Sequence, residues 1–431
     1  MNKRVGMVLV GGCLLLVTLS FTGVLAQPAG EVDALVTPKR AEVLVTVGGA
    51  SADLPAYTSR AIQLAVEAVR SQGGGTVRLN PGTFEVSAPI RLYSNMALEG
   101  SGPETVLRKT EGFRTSFVID ADWGMIKATV QDSAGFRVGD GIQLYDDANN
   151  QGWEVTTAVI TDIDGNVIYF DNPTVNDYIA SKNGTVSNSI SIVSVVDAEN
   201  VRIARLLVDG NKETNDYING CRGGGIYIHK SRNCEVDEVH VRNFNGDSFS
   251  WQVTENITVR NSEASYGGGL GFHPGTGSDR SVVEGNTSHH NKEDGFFLCW
   301  RVQNGVFRDN VSYANQRYGI SIGHKDTDNL FVGNHIYENA RHGIYFRDEN
   351  EQNGGHRNTF RQNIVENNGT TGIEAYGFYI GGNTNDIVIE GNTIQSTGKG
   401  TQVGAIYIGS NAKRTVTGEN TIAGHPGMVK E

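Results

Sequence analysis

From about residue 190 onward the chain repeats itself. Asn233, Asn256, Asn304, Asn329 and Asn358 each precede a short apolar run, with Arg280 in the missing rung, at steps of 23, 24, 24, 25 and 29 residues. A second set, Asn286, Asn310, Asn334, Asn363, Asn392 and Asn420, follows the same runs, and a third holds Asn291, Asn315, Asn339 and Asn367. Gly225-Ile226-Tyr227-Ile228, Gly295-Phe296-Phe297-Leu298, Gly319-Ile320-Ser321-Ile322 and Gly343-Ile344-Tyr345-Phe346 recur beside them. Three short strands per period, with turn residues at fixed offsets, predict an all-β chain wound as a parallel β-helix, each coil burying its apolar side chains on the next. Asparagine suits the corners because it tolerates the left-handed backbone and its amide can bond to the next asparagine in a stack. Triplets such as Asn256-Ile257-Thr258 therefore read as corner ladders rather than glycosylation sites.

Composition agrees. Glycine supplies 55 of 431 residues and proline only 9, a glycine share nearly double the average of roughly 7%, which excludes collagen, coiled coils and an ordinary helical enzyme. With 36 Lys+Arg against 48 Asp+Glu, the net charge of -12 repels phosphate backbones and argues against a nucleic-acid partner. Residues 1–26 read as a signal peptide: Lys3 and Arg4 precede the apolar run Val8 to Val24, which ends at Val24-Leu25-Ala26. The mature chain is then expected to be secreted or periplasmic, with no membrane span and an open oligomeric state. Cys13 leaves with the signal, and the odd remainder, Cys221, Cys234 and Cys299, is not a disulfide framework, although a Cys221–Cys234 bridge stays open.

Before the repeats, residues 58–71 carry Ile62, Ala65, Val66 and Val69 at helical spacing and end at Gly73-Gly74-Gly75. They predict a short capping helix within an N-terminal cap and first coils, residues 27–119. Residues 120–185, with the Asp164-Gly165 turn, predict a small inserted antiparallel β subdomain. The repeats then fill 186–425 and a tail 426–431.

The opening helix, the run GGGTVRLNPGTF and the Gly/Asn-marked coils resemble the pectin-lyase-like right-handed parallel β-helix superfamily over roughly residues 45 to 425. More narrowly, GFHPGTGSDRSVVEGNTSHHNKEDGFFLCW and the next two coils look like the catalytic module of secreted mannuronan C5-epimerases. That pattern has Asp-Pro-His where this chain has His273-Pro274-Gly275, and its expected carboxylate one coil on falls at Cys299.

Alternation along a strand sorts side chains into outward columns. One is expected to read His229, Gln252, His273, Cys299, Gly323, Arg347, Tyr376, and another Tyr227, Ser250, Gly271, Phe297, Ser321, Tyr345, Glu374. Asp247, Asp294, Tyr318 and His342 precede the strand glycines, while Trp300, His324 and Lys325 sit at strand exits. With coils about 4.8 Å apart, such columns line a groove on the order of 20 Å long, suited to several linked sugars, with Tyr227, His229, Gln252, Trp300, Lys325, Tyr345 and Tyr376 as substrate contacts. Three functions follow for a polysaccharide partner. In a uronate lyase, Arg347 or Lys325 would neutralise the sugar carboxylate while His273 or His324 abstracts the proton; this elimination is slightly favoured. In an inverting glycoside hydrolase, Asp247 and Asp294, two coils or about 10 Å apart, would be the carboxylate pair. A non-catalytic glycan-binding or cell-surface module is the third. No cofactor is required by the sequence; zinc spacing is missing, and the acidic turns leave calcium open.

Overall fold

The computed structural model of the protein describes residues 43–430. The expected signal peptide, with Cys13, lies outside the described residues. Thr58 caps the one α-helix among the described residues, Ser59–Ser71, its hydroxyl accepting from the Ala61 N–H at 3.2 Å. Ile62, Ala65, Val66 and Val69 are fully buried against the first coils. No helix among the described residues is long and apolar enough to cross a membrane.

From Leu44 the backbone winds into parallel coils. An eleven-stranded sheet, here the first sheet, stacks Ile90–Leu92, Val193–Val196, Ile226–His229, Phe249–Gln252, Phe272–Pro274, Phe296–Phe297, Ile320–Ile322, Ile344–Phe346, Ala375–Ile380, Gln402–Ile408 and Met428–Lys430. Two further ladders, such as Val282–Glu284 on Val306–Arg308 and Thr287–His289 on Val311–Tyr313, complete each coil. Between Ile90–Leu92 and Val193–Val196 the chain leaves to build a six-stranded antiparallel sheet, from Arg114–Ser116 to Thr185–Ser187, over its own core of Phe117, Ile142, Leu144 and Tyr178.

Inside the coils like stacks on like. Phe249, Phe272 and Phe296 lie face to face at 4.7 and 4.8 Å, and Phe307, Phe331 and Phe360 at 4.7 Å, the inter-strand spacing of a parallel sheet. At the corners the structure divides the two roles expected of asparagine between neighbouring positions. Asn286, Asn310, Asn334, Asn363, Asn392 and Asn420 point inward, each amide donating to the next at 2.9 to 3.0 Å. The amide also bonds a strand carbonyl of the preceding coil, as Asn310 does to Val283 at 2.9 Å, replacing backbone bonds lost at the turn. Each such bond contributes about 1 kcal/mol net, and an unpaired buried amide would cost more. The residue just before the inward one takes the positive φ, whatever its type: His290 at 55°, Asp309 at 54° and Ala314 at 52°.

Two register expectations change accordingly. The left-handed column through Asn233, Asn256, Arg280 and Asn304 continues through Asp328 and Arg357, not Asn329 and Asn358, which form the inward ladder one residue later. Arg357 then grips Asp328 through two bonds of 2.7 Å. Likewise Asn339 bonds to Asn368 at 3.1 Å, while Asn367 takes the positive φ of 55°.

Candidate functional site

The outward face of the first sheet divides into a covered half and an open half. On the covered half, His273 pairs in register with Ser250 and so shares a column with Tyr227, Phe297 and Ser321; Gly275 takes the place beside Gln252 that had been expected for His273. The strand motif starts at Gly271, not Gly269, and a Cβ at Gly271 would meet the Ser288 hydroxyl at 2.0 Å. His273 Nδ1 lies 2.7 Å from Asp247 Oδ2, and Asp247 Oδ1 accepts the Leu270 N–H at 2.9 Å. The two residues are 3% and 1% exposed. Burial alone would lower the imidazole pKa, but hydrogen bonds to Asp247 and Cys299 outweigh it and push it up to about 10.

A loop explains the burial. Gly220 lies so close above the pair that a Cβ there would sit 1.8 Å from Asp247 Oδ2. Its carbonyl accepts from Ser250 Oγ at 2.6 Å, and the next carbonyl, of Cys221, accepts from the Tyr227 hydroxyl at 2.7 Å. Gln252 is equally committed, its Oε1 accepting the Thr276 N–H at 2.8 Å and its Nε2 donating to Ser250 Oγ at 3.0 Å. His229 lies 5.5 Å from the Trp153 ring of the inserted sheet, and burial pushes it down to about 4. Asp294 is fully enclosed: Oδ1 accepts the Tyr318 N–H at 3.0 Å, Oδ2 is buried with no partner, and burial holds its carboxyl above the usual range. In this arrangement Tyr227, Gln252, Asp247, His273 and Asp294 do not face a bound sugar. Asp247 and Asp294 therefore do not form the open carboxylate pair that hydrolysis requires.

Arg347 is outward but occupied. It donates to Ser321 Oγ at 3.1 Å, to the carbonyls of Leu298 and Cys299 at 2.7 and 2.8 Å, and to Asp326 at 3.0 Å, with its guanidinium 4.5 Å from the Phe297 ring. Burial raises Asp326 to about 6 even with that partner. These bonds make Arg347 a brace across three coils.

The open half holds different groups. His324 Nδ1 lies 3.5 Å from Glu349 Oε2, both side chains partly exposed at 18% and 22%. The Trp300 ring, 49% exposed, stacks on His324 at 4.3 Å. Lys325 follows at a corner whose positive-φ column also contains Lys230 at 49° and Arg301 at 60°. That corner borders a hollow of about 750 Å³ whose lining mixes Lys230, Arg232 and Arg280 with Asp197, Glu199, Glu255 and Asp279, and the Gly277 N–H bonds the Trp300 carbonyl at 2.7 Å.

Along the open strands runs a row of rings. Tyr345, Tyr379 and Tyr407 occupy successive outward positions, so Tyr379 takes the place expected of Glu374, and Gly381 falls beside Arg347 where Tyr376 had been expected; Tyr376 instead precedes Gly377 in the row of Tyr318 and His342. Tyr318 stacks on Tyr345 at 4.2 Å, His342 on Tyr379 at 4.7 Å and Tyr379 on Tyr407 at 4.4 Å. Because these rings face one another, the row offers edges and hydroxyls outward more than open faces. His342 Nδ1 accepts the Tyr376 N–H at 3.1 Å, so the neutral ring carries its proton on Nε2 and acts as a donor. Burial pushes His342 down to about 4 and Tyr345 up to about 12. Tyr379 and Tyr407 carry the sequence signal of Tyr345, an x between two apolar residues closing on Gly381 or Gly409, and only the alignment hid them. Among the described residues no group of three or more His, Cys, Asp or Glu side chains is placed to hold a metal ion.

The family model for the right-handed beta helix region matches residues 204–360 and 325–422. The chain belongs to the right-handed β-helix family. Among solved β-helices, the A-module of the Azotobacter vinelandii mannuronan C-5 epimerase AlgE6 is 19% identical, with 86% of this chain and 91% of that one covered and a TM-score of 0.57. The AlgE4 A-module of the same organism is 20% identical, with 86% and 93% covered and a TM-score of 0.55. At this identity the likeness is one of fold. No curated protein sequence matches the chain.

Proposed function

We propose that the protein is an exported polysaccharide lyase that binds a uronate-containing chain across the open half of the first sheet and its following corner. The observation that carries this reading is the His324–Glu349 pair, partly exposed beneath the half-exposed Trp300 ring. Glu349 faces Nδ1 at 3.5 Å, and closing that distance to a hydrogen bond when substrate binds would hold the ring proton on Nδ1 and leave Nε2 of His324 as a base for the sugar proton next to the carboxylate. Lys325 beside it stabilises the charge that develops as the C–H bond breaks. The electron pair moves into a carbon–carbon double bond, the glycosidic C–O bond breaks, and a phenol of the open row supplies the proton to the departing oxygen. Tyr345, with a pKa raised to about 12, is held in the protonated state that this step needs. Lys230 and Arg301 on the same corner favour a polyanion although the chain as a whole is acidic. Two of the solved structures of this fold carry the name mannuronan C-5 epimerase, which is consistent with a uronate substrate.

Incubation with a panel of neutral and uronate polysaccharides tests the proposal, following both ultraviolet absorbance of an unsaturated product and new reducing ends. Both signals together are expected, on uronate polymers only. Reducing ends without absorbance select hydrolysis, and neither signal across the panel selects a binding module.

A further inference from the structure

The inserted sheet does more than shade the coils: it closes a cleft of about 290 Å³ against the N-terminal end of the first sheet. Arg91 and Ser194, neighbours in one outward column, form its floor, Thr157 and Ala158 of the inserted sheet its roof, and Arg222 one side. Val196, 43% exposed, and the exposed Asn172 stand at its mouth. Ser194 lies five coils before Ser321 in the same column, roughly 24 Å away by the strand spacing, so the cleft is separate from the corner of His324.

Arg222 gives the cleft its charge. The side chain is half-buried, its Nη2 donates to the Trp153 carbonyl, its Cζ lies 5.0 Å from the centre of the Trp153 ring, and its Nε is buried with no partner. No carboxylate among the described residues pairs with it, whereas the similarly enclosed Arg202 meets Glu99, Glu235 and Asp237, and Arg347 meets Asp326. The one carboxylate of the lining, Asp171, is committed through both oxygens, to Arg91 at 2.7 Å and to the Val159 N–H at 2.8 Å. The cleft therefore keeps an uncompensated positive charge in a chain whose net charge is -12. Holding a cation away from water without an anion is unfavourable, and an anion in the cleft offsets that cost. The loop that carries Arg222 is already fixed: the Asp216 carbonyl accepts from Ser189 Oγ at 2.6 Å, that of Tyr217 from Gln143 at 2.9 Å and that of Cys221 from Tyr227 at 2.7 Å. Cys221 and Cys234 are both free thiols, so the bridge left open by the sequence plays no part.

We infer that this cleft binds a single acidic sugar, a hexuronate, with its carboxylate on Arg222 and its ring between the two sheets. A planar guanidinium matches a carboxylate through paired hydrogen bonds. The rest of the lining suits a pyranose: Ser194, Thr157 and Asn172 supply hydroxyl and amide groups, while Ala158, Ile190 and Val196 supply apolar surface for its C–H face. The volume falls just below the roughly 300–1,000 Å³ of pockets for larger ligands, which admits one ring and not a chain. Binding here needs neither His324 nor Lys325 and so stands apart from the proposed elimination.

Calorimetric titration of the intact protein with D-glucuronate, with D-glucose and acetate as controls, tests the site. One-site binding of glucuronate is expected with a Kd on the order of 1 mM, usual for so small a ligand, and with glucose and acetate at least about tenfold weaker. Arg222→Gln is expected to weaken glucuronate binding about 10–100-fold, as the loss of a hydrogen bond to a charged group does. Val196→Trp, which fills the mouth from an exposed position, is expected to block it, and His324→Ala to leave it unchanged. No saturable binding to the wild type, equal binding of glucose or acetate, wild-type affinity in Arg222→Gln or Val196→Trp, or loss of binding in His324→Ala would each overturn the site. Should Arg222→Gln fold poorly by circular dichroism, Val196→Trp and the comparison of ligands decide. Glucuronate binding without any unsaturated product from polymers would remove the lyase reading and leave this site standing.

Discussion

The first sheet carries two histidine–carboxylate pairs built from the same residue types and opposite in environment. His273 and Asp247 meet at 2.7 Å with side chains 4% and 2% exposed, under a loop that leaves no room for a Cβ at Gly220. His324 and Glu349 meet at 3.5 Å with side chains 18% and 22% exposed, beside a half-exposed tryptophan. On the proposed reading the tighter pair is the strut and the looser one the base. The imidazole of the tighter pair is committed to Asp247 and, at 3.4 Å, to Gln252, and it is almost wholly buried. The looser pair, at a corner and partly exposed, is the one to which the proposal leaves a ring nitrogen for substrate. Ideal geometry in a static structure can therefore mark a structural strut rather than a reaction centre, and exposure separates the two.

The comparison can be broken most directly by His324→Ala, which is expected to lower activity on a uronate polymer by about 10²–10⁴-fold, with a thermal midpoint close to wild type. Equal rates in this variant and the wild type would remove His324 from the chemistry. His273→Ala should act the other way: it leaves a buried carboxylate without its cation and costs about 3–5 kcal/mol in denaturant unfolding. A stable, folded, inactive His273→Ala protein would reverse the assignment of the two pairs.

The pH dependence of stability sharpens the contrast. With its pKa raised from near 6.5 to about 10, folded His273 holds a proton that the unfolded chain releases in that interval. Its contribution is complete below about pH 6.5 and lost as pH rises towards about 10. His229 and His342, lowered to about 4, lose theirs in the opposite direction, as pH falls from about 6.5 to about 4. Denaturant midpoints measured across this range should fall on both sides, and in the His273→Ala background the alkaline slope should flatten. The smallest effect belongs to the row of rings: Tyr379→Phe removes one hydroxyl and is expected to raise KM by roughly 2–10-fold, about the worth of a single hydrogen bond, with kcat little changed in initial-rate measurements.

Much of this architecture was legible because a coil repeats its own sequence. The period through Asn286, Asn310 and Asn334 reports the stacking directly, since each inward amide needs the same partner one coil away. Ile62, Ala65, Val66 and Val69 likewise show the capping helix by spacing alone. Register was harder. Gly267 to Gly271 offers several glycines where one starts the strand, so His273 falls in the column expected of Gly271 and Gly275 in that expected of His273, and Asn329 and Asp328 compete for one corner. His324, Lys325, Trp300 and Tyr345 could be named from strand positions, but Glu349 could not, because it lies on the far side of a corner whose path the sequence does not encode by period.

What the sequence determined by itself is the winding: apolar, glycine and asparagine residues at a fixed period admit one way of satisfying both burial and backbone hydrogen bonds, coil on coil. What only the tertiary structure decided is which outward residues meet solvent. A loop between strands, and an inserted sheet bringing Trp153 and Gln143 against the coils, cover one half of the face and spare the other. Their positions depend on contacts between residues far apart in the chain, which follow no period, so histidines that look alike in sequence end in different dielectric environments and with different protons.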